Sequence, residues 1–323
     1  ADDASTIYWN PAGLTQSDLI GVQASGGGRL EPKEIKAILD MIKEVKDVKD
    51  KQGQPKKLLA ELKDLNVPDN VTLNLNGMAA ANLTKFGAGI IANDNFNFEG
   101  GKQQVDLGPD HTGTVPSGEA TNTLLTQGLA GFGTNLIDPP LIGSISIGAT
   151  GKYLYKRKDK ASIEATTSDL GIAIPDPEED TGFGADVGAL ATLSDIDILN
   201  AKAGVTVRNA FCTLDGDYPS LQRSMTLGTG VTFKFPLVEL LSARVAGDVE
   251  ILEPTGAAKK VKRLGAEGTV GPFSVRGGVY GTDLKNEAKR TITGGVGLNL
   301  PFIDFNLAAD SDAYVNFSGT FNF

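Results

Sequence analysis

Residues 315–323 read Val315-Asn316-Phe317-Ser318-Gly319-Thr320-Phe321-Asn322-Phe323, so apolar Val315, Phe317, Phe321 and Phe323 alternate with Asn316, Ser318, Thr320 and Asn322. A period of two places successive side chains on opposite faces of a strand, giving one apolar face and one polar face. The pattern continues upstream. Ile303, Phe305 and Leu307 alternate with Asp304 and Asn306; Ile292, Val296, Leu298 and Leu300 oppose Thr291, Thr293 and Asn299; Val245, Val249 and Ile251 oppose Arg244, Asp248 and Glu250.

Carried along the chain, this reading predicts fourteen strands, at about 19–29, 70–82, 86–97, 121–134, 141–156, 181–194, 199–208, 223–234, 240–253, 259–270, 273–281, 289–300, 303–309 and 313–323. Residues 86–97 and 121–134 alternate poorly. The connections at 83–85, 135–140, 195–198, 235–239, 271–272 and 301–302 are short, whereas 30–69, 98–120, 157–180 and 209–222 are long. An even strand number, with short turns at one rim and long loops at the other, is the plan of a bacterial outer-membrane barrel. No linker divides the chain, so residues 19–323 are read as one transmembrane β-barrel; a soluble all-β protein is the alternative.

The polar face carries Lys152, Asp186, Lys202, Arg208, Lys234, Arg244, Asp248, Glu250, Arg263, Glu267, Arg276 and Asp304. Fourteen strands enclose too wide a space for one layer of Val, Ile, Ala and Gly to fill. The apolar face, including Val249, Val296, Leu298, Phe317 and Phe321, is therefore expected to meet lipid. The charges then face a lumen, with Lys152, Asp186, Arg208, Lys234, Arg244, Asp248, Glu267 and Arg276 as the candidate lumen-facing residues. Mixed charge of this kind suits bracing of wall against wall, or of wall against a plug, more than a selectivity filter.

Composition narrows the function. The 323 residues include one His, one Cys and one Trp, and 40 acidic against 30 basic residues leave a net charge of -10. One His and one Cys do not make a zinc site, an iron–sulfur cluster, a disulfide or a Ser-His-Asp set, so no enzyme, metal site or cofactor is expected. No basic stripe invites nucleic acid. No run of apolar residues is long enough for a transmembrane helix, a test that barrel strands escape.

Two segments differ from the rest. In residues 33–65, Ile35, Ile38, Leu39, Ile42, Val45 and Val48 recur at spacings of three and four, as do Leu58, Leu59, Leu62 and Leu65, with Gly53 and Pro55 between the two runs. This predicts an amphipathic helical hairpin between the first two strands, packed on itself or serving as a lid. Residues 1–18 run Ala1-Asp2-Asp3-Ala4-Ser5-Thr6-Ile7-Tyr8-Trp9-Asn10-Pro11-Ala12-Gly13-Leu14 and onward, with neither a basic nor an apolar leader, so any export signal is expected to be already missing. This opening resembles the N-terminal hatch of the FadL-type outer-membrane transporter superfamily, and is most similar to its TraF-like branch. The resemblance implies a hatch at 1–18 inside a 14-stranded barrel and passage of small hydrophobic, fatty-acid-like molecules. Asn10, Pro11 and Ala12 match the hatch motif. Beside them Tyr8 and Trp9 are amphipathic side chains that gain by burial, and Pro11 fixes a turn.

Other motifs carry little. Gly26-Gly27-Gly28 lacks the Lys-Ser/Thr of a phosphate loop. Asp176, Glu178, Glu179 and Asp180, interleaved with Pro175 and Pro177, suit a solvated acidic loop. Cys212 is a lone thiol and His111 has no spaced partner. Three functions stay open at this point: passive uptake of small hydrophobic molecules, a structural or secretion-associated envelope barrel that holds a protein partner by its loops, and a general porin. All three place the chain in the bacterial outer membrane, against its lipid.

Overall fold

The structure, a computed structural model, describes residues 3–29, 70–106, 112–137, 143–165, 170–173, 175–196, 198–214, 221–235, 241–252 and 259–323. Its strands are β1 (Ile20–Arg29), β2 (Asn70–Leu83), β3 (Phe86–Asp106), β4 (Thr112–Ile137), β5 (Gly143–Ala165), β6 (Leu170–Ala173), β7 (Glu178–Ile196), β8 (Leu199–Cys212), β9 (Ser224–Lys234), β10 (Leu241–Leu252), β11 (Lys259–Val270), β12 (Phe273–Gly281), β13 (Arg290–Asn299), β14 (Ile303–Asp310) and β15 (Tyr314–Asn322). Neighbours pair antiparallel around a closed ring, with β15 against β1 and β4 against β5; β6 pairs only with the far end of β5. The ring thus has fourteen strands, all of them at the positions the alternation predicts. Closure leaves no unpaired sheet edge within it. The chain ends meet there: Ile20 N–H donates to Phe323 O at 3.1 Å, and Phe323 N–H donates to Ile20 O at 2.8 Å.

Register fixes the two faces. Arg244 lies opposite Glu267, and Glu267 opposite Arg276, so the charged positions of β10, β11 and β12 share the inner face. Val245, Val296, Phe317 and Phe321 point outward and are exposed; Val249 and Leu298 share that outward register on β10 and β13. Although aromatics are few, exposed phenylalanines gather near the short-turn rim, where Phe86 pairs with Phe132 and Phe302 stacks on Phe323. At that rim Thr84 takes φ +52° in the turn before β3, and Gly271 takes φ +58° before Pro272. Space around Gly271 is open, so it is the left-handed backbone that calls for glycine there.

The expected loops at 98–120 and 157–180 are corrected. β3 and β4 stay paired as far as Asp106 opposite Thr112, and β5 stays paired with β7 as far as Lys158 opposite Glu178. Both hairpins continue past the length the apolar pattern gives. The reason is physical: beyond the apolar band nothing requires one greasy face, so Gly100-Gly101-Lys102-Gln103-Gln104 pairs as strand with polar residues at both parities. The helical hairpin expected at 33–65 lies outside the described residues, as does His111.

Among the described residues, buried apolar groups form two small clusters inside the ring. Ala4 and Ile7 pack with Ala80, Ile91 and Leu129, with Tyr8 and Met78 at the margin. Leu214 and Leu221, from the connection after β8, pack on Leu125 and Leu154, and Cys212 borders them.

Candidate functional site

The site begins with residues 3–18, which lie against the inner wall. Ser5 N–H is held by Asp3 Oδ1 and by Gln23 Oε1, each at 3.0 Å. A single helical turn follows at Thr6–Trp9, then a 3-10 turn at Pro11–Thr15. Pro11 occupies the first position of the second turn, where its missing N–H costs nothing. Asn10 caps it: Asn10 Oδ1 accepts from Ala12 N–H at 3.1 Å. The other end of the same amide donates to Ala189 O at 3.1 Å and Val205 O at 3.5 Å, tying the segment to β7 and β8. Thr150 Oγ1 donates to Ile7 O at 2.8 Å, Thr15 Oγ1 donates to Ser146 Oγ at 2.9 Å, and Gln16 bonds Thr192.

The wall under this segment is glycine. A Cβ at Gly148 would stand 2.5 Å from Pro11 O; at Gly133, 2.9 Å from the same atom; at Gly131, 3.2 Å from Ile7 Cγ1. Gly87 meets Leu14 in the same way, and Gly188 and Gly204 meet Asn10. Six glycines on β3, β4, β5, β7 and β8 therefore form the seat. This seat was not anticipated, yet its signal was present: in 86–97 and 121–134 the inner positions near the segment are Gly87, Gly89, Ile91, Leu129, Gly131 and Gly133, because protein covers them, and polar Asn93, Thr123 and Gln127 appear only farther along the same face. Asn10, Pro11 and Ala12 all touch this wall or turn toward it, and Pro11 and Ala12 are buried. Trp9 departs from the expectation of burial. It is 54% exposed, because it faces an open cavity on the other side of the barrel.

A band of charge crosses the lumen at the level of Tyr8 and Trp9. Lys152 Nζ pairs with Asp186 at 2.7 Å, with side chains only 2% and 0% exposed. Asn209 joins them, accepting from Lys152 Nζ at 2.9 Å and donating its N–H to Asp186 Oδ1 at 2.7 Å. Asn209 reaches this place because β8 bulges between its pairings with Ala185 and Val187, with Asn209 itself at φ +50°. Beyond the bulge, Glu250 binds Arg208 with one carboxylate oxygen and Arg263 with the other, and Arg263 also pairs with Asp248 at 2.7 Å. The Arg208 guanidinium carbon lies 5.3 Å from the Tyr8 ring centre and 5.8 Å from that of Trp9, within cation–π range. Glu250, Arg263 and Asn209 were outside the candidate lumen set, although Glu250 and Arg263 stood on the polar face.

Arg208 separates two cavities. On the short-turn side, a cavity of about 690 Å³ runs from Trp9 and Asn10 along the inner faces of β8 to β13, with Arg244, Asp248, Glu267 and Arg276 on its wall. On the long-loop side, one of about 140 Å³ is lined by Tyr8, Gln127, Lys152, Asn209 and Glu250. Arg208 lines both. In the larger cavity Arg276 pairs with Glu267 and donates to Asn306 Oδ1 at 2.6 Å, while Arg244 Nε donates to Thr232 Oγ1 at 3.2 Å. Lys234 keeps the inward register, but it is exposed at the rim, beyond the wall of either cavity. Among the described residues no group of three His, Cys, Asp or Glu side chains could hold a metal ion.

No family model matches the sequence, and no curated protein matches it. Solved structures do. The toluene transporter TodX of P. putida superposes with a TM-score of 0.55 at 11% identity, covering 99% of this chain and 94% of that one. A TodX deltaS2S3 mutant, described as a monoaromatic hydrocarbon channel, gives 0.54 at 10% identity, covering 98% and 94%. The class is thus a closed antiparallel barrel with a segment of its own chain inside. More particularly, the chain has the fold of the FadL-type outer-membrane transporters, which the Asn10-Pro11-Ala12 opening foreshadows.

Proposed function

We propose that this protein is an outer-membrane channel for passive uptake of small molecules with apolar bodies, and that residues 3–18 are its hatch. One observation carries the reading: a segment of the chain's own N-terminus lies on a glycine seat inside a closed ring, beside a cavity of about 690 Å³. The outward Val, Ile, Leu and Phe side chains support lipid as the surrounding medium, since so wide an exposed apolar band is unfavourable in water. The hydrocarbon and toluene named for TodX support a hydrophobic ligand. In this reading Tyr8, Trp9, Asn10, Pro11 and Ala12 gate the lumen, and the short-turn rim faces the periplasm.

Deleting residues 2–13 tests the proposal. The barrel should still assemble, with its heat-modifiable gel mobility kept, and conductance in planar bilayers should rise. Assembly with unchanged conductance would remove the hatch role. A second reading, an envelope barrel that docks a protein partner, draws support from the β3–β4 and β5–β7 hairpins, which continue past the apolar band. Trimming those hairpins should leave conductance alone and abolish capture of the partner if that reading holds.

A further inference from the structure

The outer face of β11 to β13 is cationic at its long-loop end, although the whole chain carries a net charge of -10. Among the described residues, the outward positions of β9 to β15 hold no carboxylate, and their cations are Lys260, Lys262 and Arg290. Lys262 lies across from outward Val249 on β10 and from Gly281 on β12, and Gly281 lies across from Arg290 on β13. Lys260 is the next outward position along β11. Lys260 and Lys262 are exposed and, among the described residues, make no ion pair or hydrogen bond. Arg290 pairs with Glu287 at 3.0 Å. On the other side of the barrel the outward cation of β5, Arg157, is instead neutralised by Asp159 at 2.9 Å and Glu179 at 3.9 Å. Directly below the cationic row, toward the short turns, lie Leu264, Val279 and Ile292 in register, with Leu264 and Ile292 exposed. Lys260 is ten residues from Val270, the exposed end of β11 at the short-turn rim. With the rise and tilt of barrel strands, that length gives roughly 25 Å of height, the extent of an outer-membrane apolar band. The two lysines therefore stand where the band ends, and their flexible stems carry the ammonium groups to headgroup level.

We infer that this face binds a phosphorylated glycolipid of the surrounding leaflet, with a phosphate between Lys262 and Arg290, Lys260 beside it, and an acyl chain along Leu264, Val279 and Ile292. The backbones of Lys262 and Arg290 are two strand spacings apart, roughly 10 Å, and only glycine lies between them, which leaves room for a phosphate. Arg290 spends one guanidinium nitrogen on Glu287 and keeps further N–H donors for a phosphate oxygen. Each Lys or Arg close to an anionic lipid surface strengthens the attraction about fivefold. A water-soluble acidic partner is a poorer occupant, because the exposed Leu264 and Ile292 below the cations belong to the apolar band. The inference rests on the channel reading, which places the long-loop rim in the outer leaflet, and adds a lipid partner to it.

The full chain in detergent micelles would be titrated with diphosphoryl lipid A and, separately, with lipid A stripped of both phosphates, the bound fraction being read by native mass spectrometry. The diphosphoryl form is expected to reach half-occupancy at a concentration lower by on the order of tenfold. A Lys260→Gln/Lys262→Gln variant should lose most of that preference, and Lys260→Arg/Lys262→Arg should keep it. Arg157→Gln, on the side that neutralises itself, should behave as the unmodified chain. Inorganic phosphate at the same concentration should leave the lipid bound; displacement would assign the patch to free phosphate and overturn the inference. Equal binding of the two forms by the unmodified chain, or an undiminished preference in the double Gln variant, would overturn it as well. Each of these results leaves the channel reading standing, and the conductance of the chain lacking residues 2–13 judges that reading separately.

Discussion

Along β3, β4, β5, β7 and β8 the inner wall carries glycines with the N-terminal segment seated on them, whereas along β9 to β12 the same inward positions hold Gly228, Gly230, Gly265 and Gly278 and face open space. On the first side an added Cβ meets Pro11, Asn10, Leu14 or Ile7; on the second it meets only the wall's own neighbours, such as Asp248 Cβ at 3.2 Å from Gly228. Glycine in a barrel wall therefore marks clearance, and the occupant of that clearance differs from side to side. The ion pairs divide in the same way. Lys152–Asp186 beside the segment is sealed, while Arg276–Glu267 across the cavity is 39% and 23% exposed.

That difference sets the largest expected effect. Asp186→Ala would leave Lys152 buried and uncompensated, costing about 3–5 kcal/mol, whereas Glu267→Gln on the open side should cost about 0–1 kcal/mol. Thermal or urea unfolding of the two variants in one detergent measures both, and equal losses would erase the distinction between the sides. Somewhat smaller is the contrast between faces of a single strand. Val296→Arg, midway along the outer face of β13, should destabilise by about 2–4 kcal/mol, while Thr293→Arg, on the cavity wall, should be close to neutral. Folding titrations into liposomes give both values; a neutral Val296→Arg would mean that the outer face does not meet lipid.

The two sides were also unequally legible from sequence. β9 to β15 alternate cleanly because their inner residues meet water or each other's charges, so Arg244, Asp248, Glu267 and Arg276 could be assigned a face from the period alone. β3 and β4 alternate poorly because Ile91, Leu125 and Leu129 pack inside against protein, and a period-two test takes any apolar residue as outward. The glycine seat escaped for another reason. Each glycine read singly suggests a turn or a strand end, and its partners Ile7, Asn10, Pro11 and Leu14 lie more than seventy residues away in sequence. Asn10-Pro11-Ala12 was noticed only through its resemblance to a family's opening; that Asn10 caps the turn begun by Pro11 came from the structure. The bulge that brings Asn209 to Lys152 and Asp186 was not legible, because a single residue at positive φ leaves no periodic trace.

The smallest effect is expected outside the ring. Lys160 and Glu178 pair at 2.8 Å on the extended hairpin, with side chains 37% and 65% exposed. The hydrogen bond from Lys160, and then its charge, hold the Glu178 carboxyl below its usual range. Any stabilisation by the pair is thus present above the ordinary carboxylate value and lost as pH falls through the lowered one. Lys160→Gln should leave the unfolding temperature unchanged within error at pH 7 and at pH 3. A resolved loss at pH 7 that disappeared at pH 3 would show that this exposed pair contributes more than its setting suggests.

The central claim, that the seated segment closes the barrel, is tested most directly by changing the wall and leaving the segment intact. Gly148→Val would place side-chain atoms where Pro11 and Ala12 now lie, and Gly265→Val would place the same atoms in the open cavity, where its Cβ meets nothing nearer than Gly277 O at 3.5 Å. Overpacking of this kind costs about 1–3 kcal/mol, which a short segment held by a few hydrogen bonds avoids by leaving. In planar bilayers Gly148→Val should conduct like the chain lacking residues 2–13, with the segment open to protease, and Gly265→Val should conduct no more than the unmodified protein. A Gly148→Val barrel that folds, loses its segment to protease and still conducts no more than the unmodified protein would contradict the account.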